Sequence, residues 1–192
     1  KGSARLRSPQ WRFSLMLAVI AGIIICFNSI ISLRVPDIIV DARMGTATTA
    51  GTVLSLMQLT GIVAGVGFAS LTHVFKKNLL MIMCFGFGLA LALIGLSGQL
   101  WSLVLGTLLA GFTYSTGVTS IFYHLSEKIP TNLLNLATSL VLIGCNLGSA
   151  VSSFFIQLVT PLAPSNHLLF VWIGALMLLT GVFASQLLAR TK

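Results

Sequence analysis

The chain has 192 residues, 56% of them hydrophobic and only 7% charged, with a formal net charge of +8 and a mean hydropathy of +1.02. So few ionised groups cannot clothe the surface of a large soluble domain, which is excluded, and lipid is the expected solvent for most of the chain. The positive charge gathers at the ends of apolar runs and forms no basic stripe with interleaved aromatics, so the expected partner is the headgroup layer of a bilayer and not nucleic acid.

Crossing a hydrocarbon slab of about 30 Å takes about 20 helical residues. Six stretches are long enough, over residues 13–33, 46–72, 79–97, 100–123, 133–159 and 167–189. They predict an all-α, multi-pass membrane protein in which residues 1–192 form one six-helix domain. The first run follows basic residues, as a secretory signal does, but it is too long, lacks a small-residue cleavage site and precedes five more spans. Counting alternate connections puts Lys1, Arg5, Arg7, Arg12, Lys76, Lys77, Lys128, Arg190 and Lys192 on one side, and only Arg34 and Arg43 on the other. The positive-inside bias then predicts a cell (plasma) membrane protein with both termini and the 73–78 and 124–132 connections in the cytoplasm. Segments 34–45, 98–99 and 160–166 face outward.

In chain order, the first span carries Asn28 and Ser29 in its outer half. The connection after it holds Asp37 and Asp41 beside Arg34 and Arg43, either solvated or paired to latch an outward gate. The second span aligns Thr48, Gly51, Ser55, Gln58, Gly65 and Ala69 within roughly 100° of arc. The third is almost wholly apolar and is expected to face lipid. The fourth aligns Gly106, Thr113, Gly117, Ser120 and His124 within roughly 60°, with Tyr114 and Tyr123 nearby. The fifth aligns Asn135, Ser139, Asn146, Ser149, Ser153 and Gln157 within roughly 80°. The sixth offers only Thr180, Ser185 and Gln186, and is also expected to face lipid.

An unsatisfied polar group in hydrocarbon costs several kcal/mol, so these stripes must meet other helices or a water-filled cavity. With the third and sixth spans bare, a cavity explains the pattern better. Its candidate lining residues are Asn28, Gln58, Thr113, Tyr114, Ser120, Asn135, Ser139 and Asn146. Small-residue pairs Gly61/Gly65 and Gly144/Gly148 suit close helix approach. Cys26, Cys84 and Cys145 fall in three different spans without metal-ligand spacing and read as packing residues. His124 ends the fourth stripe at the cytoplasmic mouth, as a solvated cap or as a gate group that titrates near neutrality.

Stripes on helices one, two, four and five, with three and six bare, resemble the C-terminal half of a major facilitator superfamily transporter. Phe27-Asn28-Ser29 followed by Val35-Pro36-Asp37 and Gly45 looks like that family's seventh helix entering its outer loop. Ala50-Gly51-Thr52-Val53-Leu54-Ser55-Leu56 looks like the opening of the eighth, and Asn146-Leu147-Gly148 is similar to a segment of the eleventh. The resemblance implies a 3+3 inverted-repeat bundle, half of a twelve-helix fold, with solute bound between the halves. It also implies a gating stretch at Ala69-Ser70-Leu71-Thr72-His73-Val74-Phe75-Lys76-Lys77. There His73 stands where the family has an acid, and Lys76 and Lys77 keep the basic end. The partner it implies is the missing N-terminal six-helix half, in the same chain or in a second subunit. Beginning at Lys1 and not Met, the sequence is expected to be a fragment or one piece of a larger chain.

Catalysis is not expected. His73, His124 and His167 all lie at span boundaries, and no metal cluster, phosphate loop or paired carboxylate is present, so no cofactor is expected either. The expected activity is secondary transport of a small organic solute by alternating access. The largely uncharged lining, with Tyr114 and Tyr123, suits a neutral or weakly polar, amphipathic substrate; export of such compounds is one reading, with direction left open. Two alternatives stay open: a six-helix substrate-capture subunit of a multicomponent vitamin importer, and a membrane scaffold without a solute path.

Overall fold

Backbone groups surrounded by hydrocarbon must be paired within helices or closed barrels, and each apolar run of this chain forms a helix. A computed structural model of the protein describes residues 8–163 and 165–190. Its helices are α1 (Ser8–Asp41), α2 (Ala47–Phe75), α3 (Leu79–Gly95), α4 (Leu100–Lys128), α5 (Thr131–Val159) and α6 (Asn166–Arg190), and no strand occurs among the described residues. By length and composition all but α3 can cross a membrane. At 17 residues α3 is shorter than the span expected over 79–97 and measures about 26 Å. Lys1, Arg5, Arg7 and Lys192, counted above for orientation, lie outside the described residues, as do the side chains of Lys77 and Arg190.

Helix ends differ from the sequence expectation. α1 runs on through Pro36 to Asp41, so Asp37 and Asp41 stand on its last turns and not in a connection. Pro36 has no N–H to offer the Ser32 carbonyl, a loss that membrane helices tolerate. The stop comes at Arg43, whose φ of 53° is left-handed, and the Met44 N–H donates back to the Ile39 carbonyl at 2.9 Å, as a left-handed C-terminal cap does. Thr46 then opens α2 with a reciprocal cap: the Thr49 N–H donates to Thr46 Oγ1 at 3.4 Å and the Thr46 N–H to Thr49 Oγ1 at 3.2 Å. α4 likewise continues to Lys128, which places Glu127 and His124 on helix.

α1 and α4 form the centre. Over their most apolar stretches 56% and 50% of residues are buried, against 17% in α2 and 22% in α5, so α2 and α5 flank the bundle with most of their surface open. The front layer runs α2, α4, α1, α5, and α3 and α6 pair behind it, α3 against α4 and α6 more lightly against α1. The expected lipid-facing position of α3 is corrected here. Leu80, Cys84, Phe87, Leu91 and Ile94 are buried between α4 and α6, leaving Leu89 and Leu93 as its outward row. An all-apolar helix has no polar face to keep out of the protein, and its glycines admit both neighbours.

Small residues set these approaches. A Cβ on Gly148 would lie 2.8 Å from Gly22 Cα, and one on Gly144 would lie 2.8 Å from the Ala18 carbonyl carbon. The α1–α5 seam is therefore a backbone-to-backbone contact that only glycine permits. Gly111 makes the matching approach of α4 to Met57 and Thr60 of α2, where Thr60 Oγ1 donates to the Leu108 carbonyl at 3.1 Å and Ser115 Oγ to the Gly61 carbonyl at 3.1 Å. Gly65 is different: it is exposed, and beyond the adjoining backbone of its own helix no described residue lies within 4 Å of where its Cβ would be.

Gly148→Leu should therefore force α1 and α5 apart and destabilise the bundle by about 1–3 kcal/mol or more, the usual range for overpacking. Gly65→Leu should change stability by less than about 0.5 kcal/mol, as surface substitutions do. Tryptophan-monitored thermal melting of the two purified variants checks both.

Candidate functional site

On α5 the glycine face fixes where the polar face goes. Asn135, Ser139, Asn146, Ser149, Ser153 and Gln157 project roughly 120–200° from Gly144 and Gly148 at 100° per residue, and all six are exposed. On α2 the residues meeting α4 are Met57, Thr60 and Gly61, and Thr48, Gly51, Ser55, Gln58, Gly65 and Ala69 are likewise exposed. Several hydroxyls satisfy themselves on their own helix: Ser55 Oγ donates to the Gly51 carbonyl at 2.8 Å, Thr52 Oγ1 to Thr48 at 3.0 Å and Ser139 Oγ to Asn135 at 2.9 Å. The amides have more to place. Asn146 Nδ2 donates to the Leu142 carbonyl at 2.9 Å, which uses one of the two N–H donors of a group that also carries an acceptor.

The stripe on α4 lies elsewhere. Gly106, Thr113, Gly117, Ser120 and His124 are all buried. A Cβ on Gly106 would lie 3.2 Å from the Ala90 carbonyl of α3, one on Gly86 of α3 would lie 2.8 Å from Thr113 Cγ2, and Gly117 faces Met83 and Ile24. Thr113 Oγ1 donates to the Leu109 carbonyl at 2.7 Å. This stripe is a packing face against α3 and α1, and Thr113 and Ser120 do not share a surface with Gln58, Asn135, Ser139 or Asn146. Tyr114 is partly buried, its ring centroid 6.4 Å from that of Phe87. The half-exposed face of α4 instead carries Phe112, Ser115, Thr119 and Phe122. Its signal in the sequence is a pair of hydroxyls four residues apart, overlooked because glycines mark the other face. On α1, Ser29 Oγ donates to Ser149 Oγ of α5 at 3.3 Å, and the neighbouring Asn28 keeps a buried Oδ1 without a hydrogen-bond partner.

The gate candidates divide between two ends. At the end where α1 begins, His73 and Lys76 join Tyr123 around a cavity of about 520 Å³, completed by Phe68, Ala69 and Thr72. Tyr123 Oη donates to Glu127 Oε1 at 2.9 Å, and the other carboxylate oxygen of Glu127 lies 3.5 Å from His124 Nδ1. One exposed carboxylate thus links the cavity wall to a histidine that is 2% exposed. His124 is not a solvated cap: the extension of α4 to Lys128 carries it inside the bundle, where its Nε2 has no partner. At the far end, Arg34 and Asp37 form an exposed pair at 3.3 Å within α1, and Asp41 is exposed on the last turn. Among the described residues no group of three or more His, Cys, Asp or Glu side chains is placed to hold a metal.

Neither a family model nor a curated protein matches this chain.

A buried nitrogen without a partner costs about 1–3 kcal/mol, and the 3.5 Å contact to an exposed Glu127 returns little. His124→Phe should therefore leave thermal stability unchanged or raise it. A loss of more than about 2 kcal/mol by denaturant or thermal melting would mean that Nε2 is satisfied and that the histidine is part of the bundle's internal polar network.

Proposed function

We propose that this chain forms one six-helix half of a secondary transporter of the major facilitator type, passing a small, neutral or weakly polar organic solute by alternating access. The observation that carries the reading is the outward turn of the polar faces of α2 and α5. In lipid such faces would leave amide groups unsatisfied at several kcal/mol each, so they call for a covering partner, water, or both. A second six-helix bundle set against α2 and α5, with a solute path between, answers that demand in the way alternating-access transporters do.

A 3+3 inverted repeat gains support from how the helices choose partners. Exchanging α1–α3 for α4–α6 turns the α1·α5 pair into α4·α2, and these are the two long seams of the front layer, while α3·α6 maps onto itself. The glycine approaches agree, Gly22 with Gly144 and Gly148 in one seam and Gly111 with Met57 in the other. The match is incomplete, since α3 packs far more closely on α4 than α6 does on α1. Orientation rests on the cation count, which favours both chain ends in the cytoplasm of a plasma membrane protein. In this reading His73, Lys76 and the Tyr123–Glu127–His124 group form the inner gate, and Arg34, Asp37 and Asp41 the outer. A capture subunit would bind solute inside a single bundle. The polar faces turned outward here favour the two-bundle reading over it.

With Cys26, Cys84 and Cys145 replaced by serine, single cysteines at Gln58, Asn135 and Asn146 should react with a membrane-impermeant maleimide in intact membranes, and cysteines at Leu93 and Leu179 should not. Reaction at 93 and 179 with none at 58, 135 and 146 would overturn the reading, because α2 and α5 would then face acyl chains.

A further inference from the structure

A second concavity lies away from the polar faces, between α1, α5 and α6. It encloses about 540 Å³, within the roughly 300–1,000 Å³ of small-ligand sites. Its floor exists because Gly22, Gly144 and Gly148 bring two backbones together without side chains, and Val19, Leu147 and Leu176 stand along its exposed rim. The one hydroxyl in its wall, on Thr180, already donates to the Leu176 carbonyl at 2.9 Å. A polar solute would therefore lose its hydration and gain no hydrogen bond here.

The groove's length and the charge at its mouth name its occupant. On α1 it extends from Leu15 to Phe27, about 18 Å at 1.5 Å per residue. That is slightly more than half of a hydrocarbon core of about 30 Å, the depth reached by one acyl chain from one leaflet. Arg12 lies one turn before Leu15 and projects within roughly 20° of Val19, near the middle of the groove-lining stripe. Arg12 is exposed, and no salt bridge involves it among the described residues. Trp11, 46% exposed, sits beside it where an interfacial aromatic belongs. The neighbouring cation Lys128 is engaged elsewhere, 5.6 Å above the Phe13 ring on another side of α1. A second helix, about 10 Å across, would need roughly 1,400 Å³ over the same length, far more than the groove holds.

We infer that this groove seats one acyl chain of an anionic glycerophospholipid, in the leaflet on the side where α1 begins, with the phosphodiester held by Arg12. The site is independent of solute transport and requires only that the chain lie in a bilayer. It gives the basic end of α1 a specific lipid contact in addition to the diffuse attraction of a charged surface.

Native mass spectrometry of the full chain in mild detergent tests this, with phosphatidylglycerol and phosphatidylcholine of identical sixteen-carbon chains as probes. The wild type should retain one phosphatidylglycerol, favoured several-fold over phosphatidylcholine. Arg12→Gln should bring that ratio close to one while lipid still binds. Val19→Trp or Leu147→Trp, which fill the groove from its rim, should remove bound lipid of both kinds, and Leu93→Trp on α3 should change nothing. Melting temperature identifies any filled variant that has not folded, and the other filled variant then decides. The inference is overturned if the wild type holds neither lipid or shows no preference, if the folded filled variants retain as much lipid as the wild type, or if they abolish a dimer instead.

Discussion

Where Gly148 of α5 meets Gly22 of α1, two backbones touch with no side chain between them, and the orientation of α5 follows from that contact. A helix has one azimuth to choose once its position is set, and a seam that only glycine permits chooses it. Asn135, Asn146 and Gln157, on the opposite side of the same helix, must then leave the bundle. α2 is fixed in the same manner by the approach of Met57 and Thr60 to Gly111. Because most of the surface of these two flanking helices is open, the azimuth that their small residues set determines what the molecule presents to its surroundings.

Polar side chains in this bundle fall into three classes with different consequences. Hydroxyls such as Ser55, Ser139 and Thr113 bond back to the carbonyl one turn earlier on their own helix and are content in any environment. Thr60, Ser115 and Ser29 reach across to a neighbouring helix and join the seams, contacts worth about 0.6 kcal/mol each in membrane proteins. The side-chain amides of α2 and α5 retain bonding capacity that the described residues do not fill, and they are the groups whose placement asks for water or a partner.

The same glycines that draw α1 and α5 together also hollow the apolar side of their seam, so one sequence feature has two outcomes. On one side of α5 the contact turns amides outward, and on the other it leaves an apolar groove with Arg12 at its mouth. The two surfaces differ in chemistry and lie on different faces of α5. The charged ends differ too. Glu127 collects Tyr123 and His124 at the end where α1 begins, whereas Arg34 and Asp37 pair with each other on a single helix at the far end.

Length and hydropathy alone determined the helical runs and their apolar class, because lipid leaves a backbone only helices and closed barrels, and continuous apolar runs of about 20 residues suit the helix. Periodicity determined which residues share a face on α2 and α5, and the Gly144/Gly148 pair marked a seam before any neighbour was known. What those faces meet was decided by tertiary structure. The glycine-marked stripe of α4 has the same periodic signature as the stripes of α2 and α5, yet it packs on α3 and α1. The bare helix α3 is largely buried, and Gly65 meets no described residue of another helix within 4 Å of where its Cβ would be. The reason is the solvent: lipid and protein interior are nearly equivalent hosts for an apolar or small side chain, so burial is not encoded in hydrophobicity and is settled by which surfaces fit closely enough to exclude lipid. Helix ends were hidden for a related reason, since the cap at Arg43 and the buried position of His124 depend on how far a helix continues after its apolar stretch has ended.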